Sequence, residues 1–135
     1  MLSYNFIIEI SEMGGQMPFI HFNAVQHSFL KQLVYTQKLQ TSKGVKIVLA
    51  KIENVLNGTT GIEEIWETEC ELPCYLEIRK EISIIGDAYA QSDDLEFKVN
   101  TNELKIMFEK WLKFLQKYEN NEIPNLKYDF KAQYF

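Results

Sequence analysis

The sequence predicts a small α+β domain, an antiparallel sheet with two or three helices packed on one face. Three observations carry this. Two segments repeat apolar residues at helical spacing, several short segments alternate as strands do, and turn residues separate them. With 135 residues, 46% of them apolar and 24% charged, the chain fits one folded domain over 1–135 with a single core.

Tyr4 to Ile10 reads as the first strand, with Phe6, Ile8 and Ile10 on one side and Ile7 able to cover the other. Glu12 to Pro18 reads as a loop punctuated by Gly14, Gly15 and Pro18, and Phe19 to Phe22 as a second short strand. Asn23 to Gln40 reads as a helix opened by Asn23, through Val25, Phe29, Leu33 and Gln37. Its β-branched residues and Tyr35 keep a strand open for Leu33 to Thr36.

Val45, Val48, Leu49, Ile52, Val55 and Leu56 lie along one helical face, which Asn57-Gly58 ends because Gly58 tolerates positive φ. Ile62 to Pro73 reads as acidic and irregular around Trp66. Tyr75–Ile78 and Ile82–Ile85 form a hairpin or one long bulged strand. After an acidic connector, Leu95 to Val99 alternates again, with Leu95, Phe97 and Val99 on one side.

Asn100-Thr101-Asn102-Glu103 matches a capping box, and a helix follows over Asn102–Tyr118. Its face is Leu104, Met107, Phe108, Trp111, Leu112, Leu115 and Tyr118, with Phe108 and Trp111 as anchors. Leu126 to Phe130 reads as a last edge strand, and Ala132 to Phe135 as a tail that docks or frays.

Function classes narrow by what the chain carries. No apolar run approaches the ~20 residues of a membrane span, and Met1 to Asn5 lacks the basic start of a secretory signal. A cytoplasmic location is therefore expected. Cys70 and Cys74 are three residues apart, not the spacing of a redox pair, and are expected as core or half-buried thiols. His21 and His27 are the only histidines. His21, between Phe19 and Phe22, reads as a packing residue, and a Cys70–His27 pair is the one enzymatic alternative. No catalytic, metal-binding or cofactor-binding residue is assigned, and no enzyme activity is expected.

Charge is more informative. Residues 60–100 hold 11 acids and 3 bases, a net of −8 within a chain of net −5. Such a field repels phosphate backbones and draws basic surfaces. Nucleic acid and membrane are thus not expected partners. The candidate binding residues are Glu63, Glu64, Glu67 and Glu69 around Trp66, with Asp87, Asp93 and Asp94 in the next connector.

The run from the helix ending at Gly58 through Trp66, the strands at Tyr75–Ile78 and Ile82–Ile85, and Leu95–Val99 enters a helix centred on Trp111-x-x-Phe114. Over residues 45–118 it resembles the immunity proteins of bacterial polymorphic-toxin and contact-dependent growth inhibition systems. The resemblance implies a protein that binds a cognate toxin domain tightly, often over its active site. Many such toxins are nucleases with basic surfaces, which an acidic inhibitor would engage as a phosphate mimic. The competing expectations are a structural or regulatory adaptor, homodimeric through a sheet edge or the last helix, and a small Cys/His enzyme. The chain itself is expected as a monomer or a homodimer.

Overall fold

A computed structural model describes residues 2–10, 15–23, 33–34, 37–67, 74–87, 96–120, 122 and 133–134. The α+β class is as expected, and the strands divide between two antiparallel sheets. The first contains β1 (Tyr4–Ile10), β2 (Gln16–Phe22) and the two-residue β7 (Gln133–Tyr134), in the order β2-β1-β7. The second contains β3 (Glu63–Glu67), β4 (Cys74–Ile78), β5 (Ile82–Asp87) and β6 (Glu96–Asn100), in sequential order.

β1 and β2 pair from Tyr4–Phe22 to Ile10–Gln16. Pro18 is inside β2, not in the loop that the sequence predicts. An edge strand accommodates it, because the missing N–H is not needed on the outer side. His21 is exposed rather than packed, since it alternates with the buried Ile20 and Phe22. Asn23 fastens the open end of the hairpin. Its backbone N–H donates to the Ser3 carbonyl at 3.0 Å and its side-chain amide to the Ser3 hydroxyl at 2.7 Å.

Most of the helix expected over 23–40 lies outside the described residues, though Leu33 and Val34 are helical and buried. Gln37–Gln40 is a 3-10 turn. The strand expected at 126–130 also lies outside the described residues, while Gln133–Tyr134 docks on β1 opposite Ile7 and Phe6.

Helix α1 (Ser42–Leu56) begins at Thr41, whose hydroxyl accepts from the Gly44 N–H, and buries Val45, Val48, Ile52 and Val55. It stops where Gly58 turns to φ +81°, as the Asn57-Gly58 pair predicts. Helix α2 (Thr101–Glu119) begins at Asn100, whose side-chain oxygen accepts from the Glu103 N–H. Two contacts bind the helices together outside the core. Glu119 accepts from both the N–H and the hydroxyl of Ser42, placing a carboxylate at the positive end of α1. Lys105 pairs with Glu53, a contact that raises the lysine above its ordinary pKa.

The segment expected to be irregular holds a strand. β3 pairs with β4 from Glu63–Ile78 to Glu67–Cys74. A strand with glutamates at three of five positions sits at the rim of a sheet, with Glu63 half-buried and Glu64 exposed. Tyr75–Ile78 and Ile82–Ile85 resolve as two strands of a hairpin. One face of this sheet buries Cys74, Leu76, Ile78, Ser83, Ile85 and Val99 against the helices. The other face carries Glu64, Tyr75, Glu77, Ile82, Ile84 and Lys98, which are exposed or half-buried.

Two buried polar arrangements lock this frame. Trp111 is fully buried, its ring 5.4 Å from Phe6 and stacked 5.7 Å from Phe114. Its indole N–H donates to the Leu39 carbonyl at 2.7 Å. Thr101 is equally buried. Its hydroxyl donates to the Arg79 carbonyl at 2.6 Å, so Ser83, 2.7 Å away, must donate to Thr101. The Thr101 N–H adds a bond to the Glu81 carbonyl, tying the β4–β5 turn to the start of α2.

Replacing Trp111 with Phe leaves a buried carbonyl at Leu39 without its donor. In urea denaturation followed by circular dichroism it is expected to lower stability by about 1–3 kcal/mol, beyond any packing loss. Thr101→Val is expected to cost a similar ~1–3 kcal/mol by orphaning Ser83 and the Arg79 carbonyl. Thr101→Ser, which keeps the hydroxyl, should recover most of that loss in the same measurement.

Candidate functional site

The second sheet has two unlike ends. The β4–β5 turn, Arg79-Lys80-Glu81, marks one end. At the other end β3 and β5 finish and β4 and β6 begin. The register there aligns Glu67, Cys74 and Asp87 in one row across three strands. Glu67 and Asp87 are thus about 10 Å apart along the backbone, two strand spacings. The adjacent row runs Trp66, Tyr75, Gly86, Glu96.

The strand ends from which residues 68–73 and 88–95 depart, and to which they return, all lie at this end. The sequence over 67–74 and 87–96 contains Glu67, Glu69, Glu71, Asp87, Asp93, Asp94 and Glu96, and no Lys or Arg. Among the described residues, Glu67, Asp87 and Glu96 stand in the last two rows at this end, whereas Glu64 and Glu77 pair in mid-sheet and Glu63 and Glu81 lie toward the β4–β5 turn.

The candidate residues are distributed as follows. Glu67 and Asp87 share a row, and Trp66 occupies the neighbouring row opposite Tyr75. Glu63 and Glu64 do not act together, because consecutive strand residues alternate faces. Glu63 is half-buried and meets the Lys51 ammonium at 3.6 Å, while Glu64 is exposed on the open face. Lys51 also donates to the Glu64 carbonyl at 3.2 Å, fastening the edge strand to α1. Glu69, Asp93 and Asp94 lie outside the described residues.

Sequence reasoning did not single out Tyr75, Gly86 and Glu96, which form the best-defined polar contact of this surface. The Tyr75 ring lies flat over Gly86, where an added Cβ would meet the phenol oxygen at 2.9 Å and ring carbons at 3.0 and 3.1 Å. That lets the phenol reach across a strand and donate to a Glu96 oxygen at 2.7 Å. Glycine as the bridge between an aromatic and a polar strand residue was the available signal. It becomes legible only once the register is known. Beside this contact Glu77 is held by Arg79, at 2.8 and 3.0 Å.

Cys74 is a buried thiol, as expected, at 0% exposure. Cys70 and His27 lie outside the described residues. No cluster of three or more potential metal ligands occurs among the described residues. A cleft of about 500 Å³ lies where α2 ends beside the start of α1. It is open, and Lys113, Lys117, Glu119 and Glu122 give it mixed charge.

Gly86→Ala should leave the fold intact, because the obstructing atoms belong to a side chain that can lift. It should cost on the order of 1 kcal/mol, the value of the lost phenol–carboxylate bond. Tyr75→Phe should cost a similar amount, and the double variant less than the sum, as a double-mutant cycle in urea would show. Comparison with known proteins finds no matching family model, no matching curated protein and no matching solved structure, so no relative lends this surface a function.

Proposed function

We propose that the chain is a stoichiometric inhibitor of the immunity type, which neutralises a toxin domain by covering its basic surface with the acidic end of the four-stranded sheet. One observation carries this reading. Seven carboxylates and no base belong to the two sequence stretches, 67–74 and 87–96, whose flanking strand ends lie at that end. Like charges held together oppose folding, and a basic partner relieves that repulsion while the opposed fields speed encounter.

The physical logic favours a partner evolved to hold phosphate. The register holds the backbones of Glu67 and Asp87 about 10 Å apart, a spacing fixed by the sheet. A nuclease cleft lined with Lys and Arg would accept such an array without being able to cleave it. Tyr75, beside Gly86 and Glu96, offers an amphipathic ring at the border of the array, the type of residue that anchors interfaces.

The test is protection and its charge dependence. Cells expressing the toxin domain encoded beside this chain's gene should grow only when the chain is co-expressed, and the two proteins should purify as a 1:1 complex. Glu69→Lys/Glu71→Lys and, separately, Asp93→Lys/Asp94→Lys should slow association by about tenfold or more at low salt. The deficit should shrink at high salt, where screening is nearly complete. Protection with unchanged association rates in both variants would remove the acidic end from the interface. No protection and no complex would remove the inhibitor reading itself.

A further inference from the structure

Asn57-Gly58 is the only Asn-Gly pair in the chain, and both residues are exposed at the end of α1. An asparagine followed by glycine has a chemistry of its own. The backbone nitrogen of the next residue attacks the side-chain amide carbon, and a glycine, having no side chain, obstructs that approach least. A C–N bond forms, the proton passes to the leaving nitrogen, and ammonia departs from a five-membered succinimide. Water then adds to either ring carbonyl and opens it to aspartate or isoaspartate. One water is consumed and one ammonia released, with no change of oxidation state.

The fold holds this pair out of reaction. The Gly58 N–H donates to the Val55 carbonyl at 3.2 Å, which retains the proton that the attacking nitrogen must lose. Asn57 has ψ 0°, so the Gly58 nitrogen eclipses Asn57's own nitrogen instead of approaching its side chain. The side-chain oxygen of Asn57 accepts from the Thr59 N–H at 3.0 Å and from the Thr59 hydroxyl at 2.6 Å, which ties the amide to this backbone conformation. The main chain is clamped on either side. The Asn57 N–H donates to the Glu53 carbonyl at 2.9 Å, and the Thr60 N–H to the Asn54 carbonyl at 3.0 Å. Turning Asn57 toward ring closure breaks the Gly58 bond and pulls on all the others.

We infer that Asn57 is the deamidation site of this chain, and that the cap of α1 gates the reaction, which proceeds only while the cap is open. The rate is then the open fraction multiplied by the rate in the open chain. The product does not restore the cap. Aspartate adds a negative charge at the end of α1 that is already the negative pole of the helix. Isoaspartate routes the main chain through the former side chain, which inserts one carbon between the bonds to Glu53 and Asn54. Each opening that reacts is thereby recorded irreversibly at the junction of α1 and β3. The chemistry needs no partner protein.

Peptide mapping by mass spectrometry decides it. The full chain is held at mildly alkaline pH, native and in urea, and digested at intervals to locate each amide lost. In urea Asn57 should react before any other asparagine, and more than about tenfold faster than in the native chain. Thr59→Val changes an exposed side chain, removes the hydroxyl donor and keeps the N–H. In the native chain it should react about fivefold faster than wild type, the worth of one hydrogen bond in the cap. Thr59→Ser should stay close to wild type. In urea all three should react alike, because the contact is absent there. Another asparagine reacting first in urea overturns the inference, as does one common rate for native and unfolded chains. So does a native Thr59→Val that reacts no faster than wild type, and a slower one shows that the hydroxyl activates the amide rather than holding it.

Discussion

Burying the Trp111 ring while keeping its N–H bonded is the constraint from which the rest of the architecture follows. The ring needs apolar neighbours on its faces, and Phe6 from β1 and Phe114 from α2 supply them. Its N–H needs an acceptor that is equally out of water, and the 3-10 turn presents the Leu39 carbonyl at 2.7 Å. One side chain thus joins the first hairpin, the turn before α1 and the long helix α2. A buried donor without its acceptor would cost on the order of 1–3 kcal/mol, a sizeable part of the ~5–15 kcal/mol that holds a domain of this size. The two sheets share one core because the same helix face serves both.

A second buried polar knot sets the polarity of the four-stranded sheet. Thr101 satisfies Ser83 and the Arg79 carbonyl at the point where β6 becomes α2. It thereby fixes the β4–β5 turn, with its Arg79 and Lys80, at the end of the sheet where α2 starts. The strand ends that flank residues 68–73 and 88–95 lie at the opposite end, where Glu67, Asp87 and Glu96 stand.

The two edges of that sheet are treated differently. β3 carries three glutamates, and α1 closes on it through Lys51, which engages both the Glu63 carboxylate and the Glu64 carbonyl. Acids and a capping lysine are the usual means of discouraging an unwanted strand. β6 instead carries one acid and one base two residues apart, Glu96 and Lys98, with Glu96 accepting from the Tyr75 phenol.

Local periodicity alone determined the two long helices, although α1 starts at Ser42, three residues before the Val45 at which its apolar face begins. The apolar faces of α1 and α2, the Gly58 stop, the Asn100 cap and the anchoring role of Trp111 all depend on neighbours within a few turns, where the sequence is its own context. The alternating strands β1 and β6 were legible for the same reason. The regional excess of acid was also plain, since charge is countable. Tertiary structure decided the rest, because it depends on residues distant in sequence. β3 looked irregular while its glutamates were judged singly, and became a strand by pairing with β4 at a sheet rim. Pro18 fits because β2 is an edge, and His21 points outward because Ile20 and Phe22 point in. Above all, register decided which acids lie level with one another. It separated Glu63 from Glu64, which are adjacent in sequence, and brought Glu67 level with Asp87, twenty positions away. Alternation of side chains is local, but alignment between strands is not, so a surface made across strands is written only in the fold.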